Sequence, residues 1–112
     1  MSEYLVLIYQ DESANTDPAV QEQTYAGHVR FAEQHGPSLR GGNALQPSDT
    51  ATTIRGDGSG GFTITDGAFA ETKEALGGYY VVEAADLDEA ITLAKAIPAP
   101  VGGVEVRPIR PM

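Results

Sequence analysis

Two short stretches, YLVLIY (Tyr4 to Tyr9) and YYVV (Tyr79 to Val82), restrict the fold more than any other feature of this chain. Both are rich in β-branched and aromatic residues, which predicts strands. Neither shows the alternation of polar and apolar residues that marks a strand with one face in water, so both faces of each strand are expected to be covered. One layer of helices covers only one face of a sheet, and we therefore expect a second copy of the chain to cover the other face.

The segment TDPAVQEQTYAGHVRFAEQHG carries the signals of a helix of about five turns. Asp17 is suited to the N-cap, Pro18 to the first helical position and Gly36 to the end of the helix. At about 100° per residue, one predicted apolar arc contains Val20, Thr24, His28, Phe31 and His35, extended by Tyr25, Val29 and Ala32. The helix is therefore predicted to be amphipathic, with His28 in the middle of its buried face.

A second helix is predicted in DLDEAITLAKAIP. Asp86 and Glu89 have the spacing of a capping box, and Pro98 ends the segment. The apolar stripe is predicted to contain Leu87, Ala90, Ile91, Ala94 and Ile97.

The remaining patterns indicate strands. LRGGNALQ suggests a glycine-rich strand, TATTIR and GFTIT alternate around GDGSGG as a hairpin, and GVEVRPI (Gly103 to Ile109) closes the chain. The resulting order β, α, β, hairpin, loop, β, α, β predicts a ferredoxin-like α+β fold, an antiparallel sheet with two helices on one face and an inserted hairpin. We expect one domain over residues 1–112 and a homodimer packed sheet to sheet.

Composition narrows the classes of partner. A formal charge of -9 disfavours direct nucleic-acid binding, which needs clustered basic residues. The absence of cysteine excludes disulfides and thiolate metal sites and fits a cytoplasmic protein. The apolar run in MSEYLVLIYQDE is about six residues, too short for a signal peptide or a membrane span, so no membrane partner is expected.

Three patterns in the sequence could suggest a phosphate-binding loop, a metal site or a serine nucleophile, but none of them supports such a site. GDGSGG matches G-x-G-x-x-G through Gly56, Gly58 and Gly61, but a predicted strand follows it instead of the helix that a phosphate site needs. His28 and His35 lie seven residues apart, roughly 10 Å along a helix, which makes a shared metal ion improbable. Neither Ser38 nor Ser59 has glycine at both of the positions that a G-x-S-x-G nucleophile elbow requires. No metal and no cofactor are expected.

His28 is the strongest candidate for chemistry. A histidine within an apolar arc needs partners for its ring nitrogens, either as a satisfied core residue or as a proton carrier, and both interpretations stay open. The segment TDGAFAETKEALGGYYVV supplies candidate carboxylates in Asp66, Glu71 and Glu74. The alternative is that Asp66 and Gly67 make a turn while the charged residues after them form a solvated surface.

The string TDGAFAETKEALGGYYVVEAADLDEAI closely resembles the signature of the DGPF-domain, YCII-related family. MSEYLVLIYQDE, AGHVRFAEQHG, GGNALQPSDTATTIR and GGVEVRPI resemble the rest of that family, so the similarity runs nearly end to end. One departure is Ala68, which stands where the family has its namesake proline and is expected to loosen the loop after Gly67.

The resemblance implies a ferredoxin-like protomer that dimerises as in the dimeric α+β barrel group. It also implies a His and Asp pair in a pocket, with His28 as the family's helix histidine and Asp66 as the carboxylate. On this basis we expect a cofactor-free isomerase or lyase acting on a small organic molecule. Arg40 and Lys73 are the candidate binders of an anionic substrate, and Phe69 or Tyr79 the candidate walls of the pocket.

The alternative hypothesis is a non-catalytic dimer that binds a ligand or has a regulatory role. Some relatives are encoded beside extracytoplasmic-function sigma factors, so the resemblance also implies an accessory role to such a factor.

Overall fold

The computed structural model describes residues 1–69 and 73–112, which form six strands, two α-helices and two short 3-10 turns. The helices are α1 (Pro18–His35) and α2 (Leu87–Lys95). The strands are β1 (Ser2–Gln10), β2 (Leu39–Ala44), β3 (Thr52–Gly56), β4 (Phe62–Asp66), β5 (Ala75–Ala84) and β6 (Gly102–Pro108).

Four strands form one antiparallel sheet in the order β2-β5-β1-β6. Strands β1 and β5 lie side by side at the centre of the sheet. Each helix connects one of these central strands to an edge strand. The predicted ferredoxin-like fold is therefore confirmed. Strand β5 begins at Ala75, four residues before the predicted YYVV segment, because Leu76 and Ala75 continue the pairing with the end of β1.

The core lies between this sheet and the helices. Tyr4, Val6 and Ile8 alternate along β1 and are buried, with Val82 of β5 beside them. Full burial of each such apolar side chain contributes roughly 1.5–3 kcal/mol before entropy is counted. The intervening β1 residues point to the opposite face of the sheet and are only half-buried in the protomer. The predicted cover of that second face is thus not supplied by the described part of this chain.

Helix α1 begins and ends close to the predicted residues. The carboxylate of Asp17 accepts a hydrogen bond from the backbone N–H of Ala19 at 2.9 Å, as its N-cap role predicts. Phe31 is buried, and the rest of the predicted central arc is half-buried. The predicted extension of this arc was wrong, because Tyr25 is 72% exposed and Val29 is 41% exposed. Helix α1 therefore buries a narrow stripe, not a broad face.

Helix α2 is capped as predicted, since the Asp86 carboxylate accepts from the backbone N–H of Glu89 at 2.9 Å. Its buried stripe consists of Ala90, Leu93, Ala94 and the following Ile97. Leu93 was missed, and the predicted Leu87 and Ile91 lie at the edge of the contact, 48% and 37% exposed. None of the helices in the described part of the chain combines the length and apolar character needed to cross a bilayer.

Strands β3 and β4 form the predicted hairpin as a separate two-stranded sheet. The loop between them is five residues long, and within it the Asp57 carboxylate accepts hydrogen bonds from the backbone N–H groups of Ser59 and Gly61 at 2.8 and 3.1 Å. Gly58 and Gly60 have φ of 85° and 90°, a conformation that L side chains rarely adopt. A strand follows the loop, so GDGSGG lacks the helix that a phosphate-binding loop requires.

Candidate functional site

A cavity of about 430 Å³ opens between α1, the sheet and the connection from α2 to β6. We call it the histidine cavity. Its lining residues are Ile8, Tyr9, Gln10, Asn15, Gln21, Thr24, Tyr25, His28, Gly42, Asn43, Ala44, Leu45, Gly77, Gly78, Tyr79, Tyr80, Pro98, Ala99, Pro100 and Val101. Its volume lies toward the lower end of the roughly 300–1,000 Å³ of sites that hold small organic ligands.

His28 and Tyr80 form a polar contact within the lining of this cavity. The distance between Nδ1 of His28 and the hydroxyl oxygen of Tyr80 is 2.7 Å, although 52 residues separate them in the chain. Tyr80 of β5 pairs directly with the buried Val6 of β1. Paired residues point to the same face, so the Tyr80 side chain lies on the helix-covered face of the sheet. The buried Phe31 ring packs against Tyr80 at a centroid distance of 5.0 Å and so holds the phenol below α1.

Burial favours the neutral form of both members of this pair. Desolvation lowers the pKa of His28 below its ordinary value of 6.5, and it raises the pKa of Tyr80 above its ordinary value of 10.0. A phenol O–H is a better donor than an imidazole N–H, and an imidazole nitrogen is a better acceptor than a phenol oxygen. On this basis we assign Tyr80 as the donor to Nδ1, with the ring proton of His28 on Nε2.

Three carboxamides form one wall of the cavity, which we call the amide wall: Gln10, Asn15 and Gln21. The Gln21 carboxamide nitrogen donates to the backbone carbonyl of Asn15 at 2.7 Å. The Asn15 carboxamide nitrogen in turn donates to the Gln10 carboxamide oxygen at 3.4 Å, a long and weak bond. These contacts orient the wall and leave polar atoms of the carboxamides available to a ligand.

Asp66, the carboxylate predicted to pair with His28, lies elsewhere in this chain. It is the last residue of β4, is exposed, and stands opposite Thr52 in the hairpin. Within residues 1–69 and 73–112 no hydrogen bond or ion pair joins it to His28, whose partner is the Tyr80 hydroxyl. The protomer therefore does not bring the predicted pair together.

Neither predicted anion-binding residue lines the histidine cavity. Arg40, on the edge strand β2, forms an ion pair with Glu83 at 3.0 Å and donates to the backbone carbonyls of Pro37 and Leu39. Lys73 is exposed, and its charge contributes weakly to lowering the pKa of Asp11, an effect led by the hydrogen bond from the Ser13 hydroxyl. The charged groups of Arg40 and Lys73 therefore lie outside the histidine cavity.

The two predicted wall residues have different surroundings. Phe69 is 65% exposed, lies under the Arg55 guanidinium at 3.9 Å, and lines a second cavity of about 790 Å³ beside the hairpin. Tyr79 belongs to the lining of the histidine cavity, but alternation directs its side chain to the other face of the sheet, where its hydroxyl accepts from Asn43 at 3.0 Å. Glu71, a candidate carboxylate, lies outside the described residues, and Glu74 lines the second cavity.

Sequence reasoning missed Tyr80 and the amide wall. The signal for Tyr80 was its position next to Tyr79 in a strand with two apolar faces, since a buried phenol requires a polar partner. Choosing Tyr80 over Tyr79 depends on which face of β5 meets α1, and only the sheet register decides that.

The YCII-related domain family matches residues 2–112 of the chain. The chain is also 37% identical over 118 residues to a protein of Rhizobium meliloti, and this alignment covers 95% of the chain and 90% of the relative. That relative is itself described as uncharacterised, so the similarity bears on family and fold and assigns no reaction.

Proposed function

This chain belongs to the YCII-related family, and we propose that it binds a small organic molecule in the histidine cavity and transfers a proton on it. The observation that supports this most is the 2.7 Å contact between His28 and Tyr80 within a cavity of about 430 Å³. The proposed reaction class is isomerisation or elimination on a carbon acid, in keeping with the isomerase or lyase hypothesis drawn from the sequence. Tyr80 replaces Asp66 as the partner of the histidine.

The proton transfer begins with a neutral pair. Tyr80 passes its hydroxyl proton to Nδ1 of His28 as the phenol oxygen takes a proton from the ligand carbon. The C–H bond breaks, its electron pair stays on the ligand as an enolate, and His28 becomes an imidazolium. Return of the proton to a different carbon gives an isomer, and loss of a β leaving group gives an elimination product.

The experiment is a deuterium-exchange screen. A panel of carbonyl compounds is incubated with the protein in D2O, and proton NMR follows the loss of signal at the carbon next to the carbonyl. Exchange by the wild type is expected to fall by at least about 100-fold in His28→Gln and in Tyr80→Phe, because general acid–base catalysis contributes roughly 10²–10⁴-fold. Tyr4→Phe is the matched control, since it removes a hydroxyl from the same sheet face outside the cavity.

Exchange that survives in both variants contradicts the proposed roles of His28 and Tyr80. Binding without exchange by the wild type favours the alternative, a non-catalytic ligand-binding or regulatory protein. An accessory role to a sigma factor stays a prediction from the family resemblance.

We further propose a homodimer in which a second copy covers the sheet face opposite the helices. This face carries the half-buried residues of β1 and β5 that alternate with the core residues, among them Leu5, Leu7 and Val81. Burying such a surface in a dimer contributes a favourable free energy of about 25 cal/mol for each Å² of apolar area removed from water.

A further inference from the structure

We propose that the histidine cavity selects an uncharged carbonyl compound with an apolar body and discriminates against carboxylates and phosphates. The inference rests on the proposed function only in taking this cavity as the ligand site. It concerns the charge of the ligand and stands apart from the proton transfer.

The first observation is the absence of fixed charge. None of the described residues that line the cavity is Asp, Glu, Lys or Arg. An anion moved from water into such a site loses hydration and finds no opposite charge to offset the loss. Arg40 is not in the lining, and its guanidinium is already engaged by Glu83. The net charge of -9 on the chain adds a long-range repulsion against anions.

The second observation is the kind of polar group that the cavity presents. Carboxamides offer both donors and acceptors, which matches a neutral carbonyl or hydroxyl group better than an ion. The Gln21 carboxamide uses its nitrogen on the Asn15 carbonyl, which leaves its oxygen to accept from a ligand. Thr24 also lines the cavity, and because its hydroxyl donates to the Val20 carbonyl at 2.8 Å, its oxygen retains the capacity to accept a hydrogen bond.

The third observation is the apolar part of the lining. Ile8, Leu45, Pro98 and Val101 come from β1, the end of β2 and the connection from α2 to β6. Tyr25 of α1 also lines the cavity and adds an aromatic residue that is 72% exposed. A ligand with an apolar ring or chain gains from removing this surface from water, while its carbonyl meets the amide wall.

The test uses two probes of nearly the same shape, benzamide and benzoate, at equal ionic strength and at pH 7.5. Binding is followed through the ring-proton NMR signals of His28, whose position reports on this cavity. Benzamide is expected to shift these signals saturably, and benzoate to bind at least about tenfold more weakly, since a tenfold difference corresponds to only about 1.4 kcal/mol.

A variant that introduces a positive charge sharpens the test. Gln21→Lys places a cation at the amide wall and is expected to strengthen benzoate binding by about tenfold through direct Coulomb attraction. Gln23→Lys is the matched control, because Gln23 is exposed on the same helix, does not line the cavity, and changes the net charge of the chain equally. Benzoate binding is expected to stay weak in this control.

The inference is overturned if benzoate binds the wild type as well as benzamide does, or if neither probe moves the His28 signals at millimolar concentration. An equal gain in Gln21→Lys and Gln23→Lys also contradicts it, because the effect is then one of net charge. Preferential benzamide binding without any proton exchange by the wild type in the carbonyl screen supports this inference and contradicts the proposed reaction, so the two failures are distinguishable.

Discussion

At the scale of single residues, His28 has two properties that depend on its burial. Desolvation lowers its pKa, and the hydroxyl of Tyr80 occupies Nδ1 at 2.7 Å. A surface histidine has neither property, because water solvates its cation and competes for its nitrogens. The neutral state of His28 is therefore coupled to the folded state of the chain.

This coupling predicts a pH dependence of stability. The unfolded chain protonates His28 near its ordinary pKa of 6.5, whereas the folded chain does so only at lower pH because burial lowers the pKa. Between these two values the unfolded state binds more protons, so the free energy of unfolding falls as the pH drops below about 6.5. Urea unfolding at about pH 7.5 and 5.5 is expected to show this loss, with a smaller loss in His28→Gln.

The pKa shifts of Asp11 and Asp57 affect stability outside this pH window. Hydrogen bonds lower the pKa of Asp11 and of Asp57, led by the Ser13 hydroxyl and the Ser59 backbone N–H respectively. The stability that these carboxylates contribute is present above their ordinary value of 3.8 and is lost only below it. An identical slope in wild type and His28→Gln contradicts the assignment to His28.

A second residue-scale prediction separates the two candidate partners of the histidine. Asp66→Asn is expected to leave the NMR titration midpoint of His28 unchanged, because Asp66 is exposed in β4 and makes no contact with His28 in the described protomer. Tyr80→Phe is expected to change the nitrogen chemical shifts of the His28 ring. The substitution removes the hydroxyl that donates to Nδ1, and without this hydrogen bond the ring no longer prefers the Nε2–H tautomer. A midpoint that moves in Asp66→Asn restores the pair that the resemblance implied.

At the scale of elements, the rim of the cavity depends on a close approach between β6 and β1. Gly102 pairs with Gln10, and a Cβ built on Gly102 lies 1.9 Å from the backbone carbonyl oxygen of Tyr9. The atom that the Cβ would meet belongs to the backbone, so a change of side-chain rotamer cannot relieve the overlap. Any larger residue at this position must therefore move the strand. The glycine is therefore required by the packing of two strands and not by a turn.

Gly102→Ala is accordingly expected to destabilise the fold by roughly 1–3 kcal/mol, the usual range for overpacking. Gly103→Ala is the matched control, because a Cβ on the neighbouring residue meets nothing within 4 Å. Chemical denaturation measures both variants, and equal losses of stability contradict the proposed close approach. The His28 signals are also expected to shift in Gly102→Ala, since Gln10 and Val101 line the cavity beside it.

The helices show which element-scale features a local pattern predicts. Asp17 and Asp86 cap α1 and α2 as their sequence context indicated, because a cap needs only the first helical turn. The width of the buried face of α1 was overestimated at Tyr25 and Val29, since that width depends on how much of the sheet the helix contacts. Helical periodicity identifies the side that faces inward, and the neighbouring element decides how far burial extends.

At the scale of the whole molecule, the protomer is extended. Its Cα radius of gyration is 15.9 Å, whereas a compact domain of this length has about 13 Å. The two-stranded hairpin of β3 and β4 is separate from the main sheet, and one of its faces exposes Ile54, Phe62 and Ile64 by 60% or more. Apolar surface on the hairpin and on the uncovered sheet face supports the proposed association of two copies.

The molecule-scale prediction is a dimer that one substitution separates. Light scattering at micromolar concentration is expected to give the mass of two chains for the wild type and of one chain for Val81→Glu, which buries a carboxylate in the proposed interface. Val29→Glu makes the same change on the exposed side of α1 and is expected to remain dimeric. A monomeric wild type contradicts the sheet-to-sheet dimer, and circular dichroism checks that each variant folds.

The sequence by itself determined the element order, both helix caps, the hairpin and the ferredoxin-like layer, because each depends on neighbours within a few residues or on simple periodicity. It also singled out His28. Only the tertiary structure decided that Tyr80 is its partner, that Asp66 stands apart on the hairpin, and that the described residues lining the cavity include no Asp, Glu, Lys or Arg. These features join segments far apart in the chain, and the register and helix-covered face of the sheet, which local pattern does not specify, determine which side chains meet.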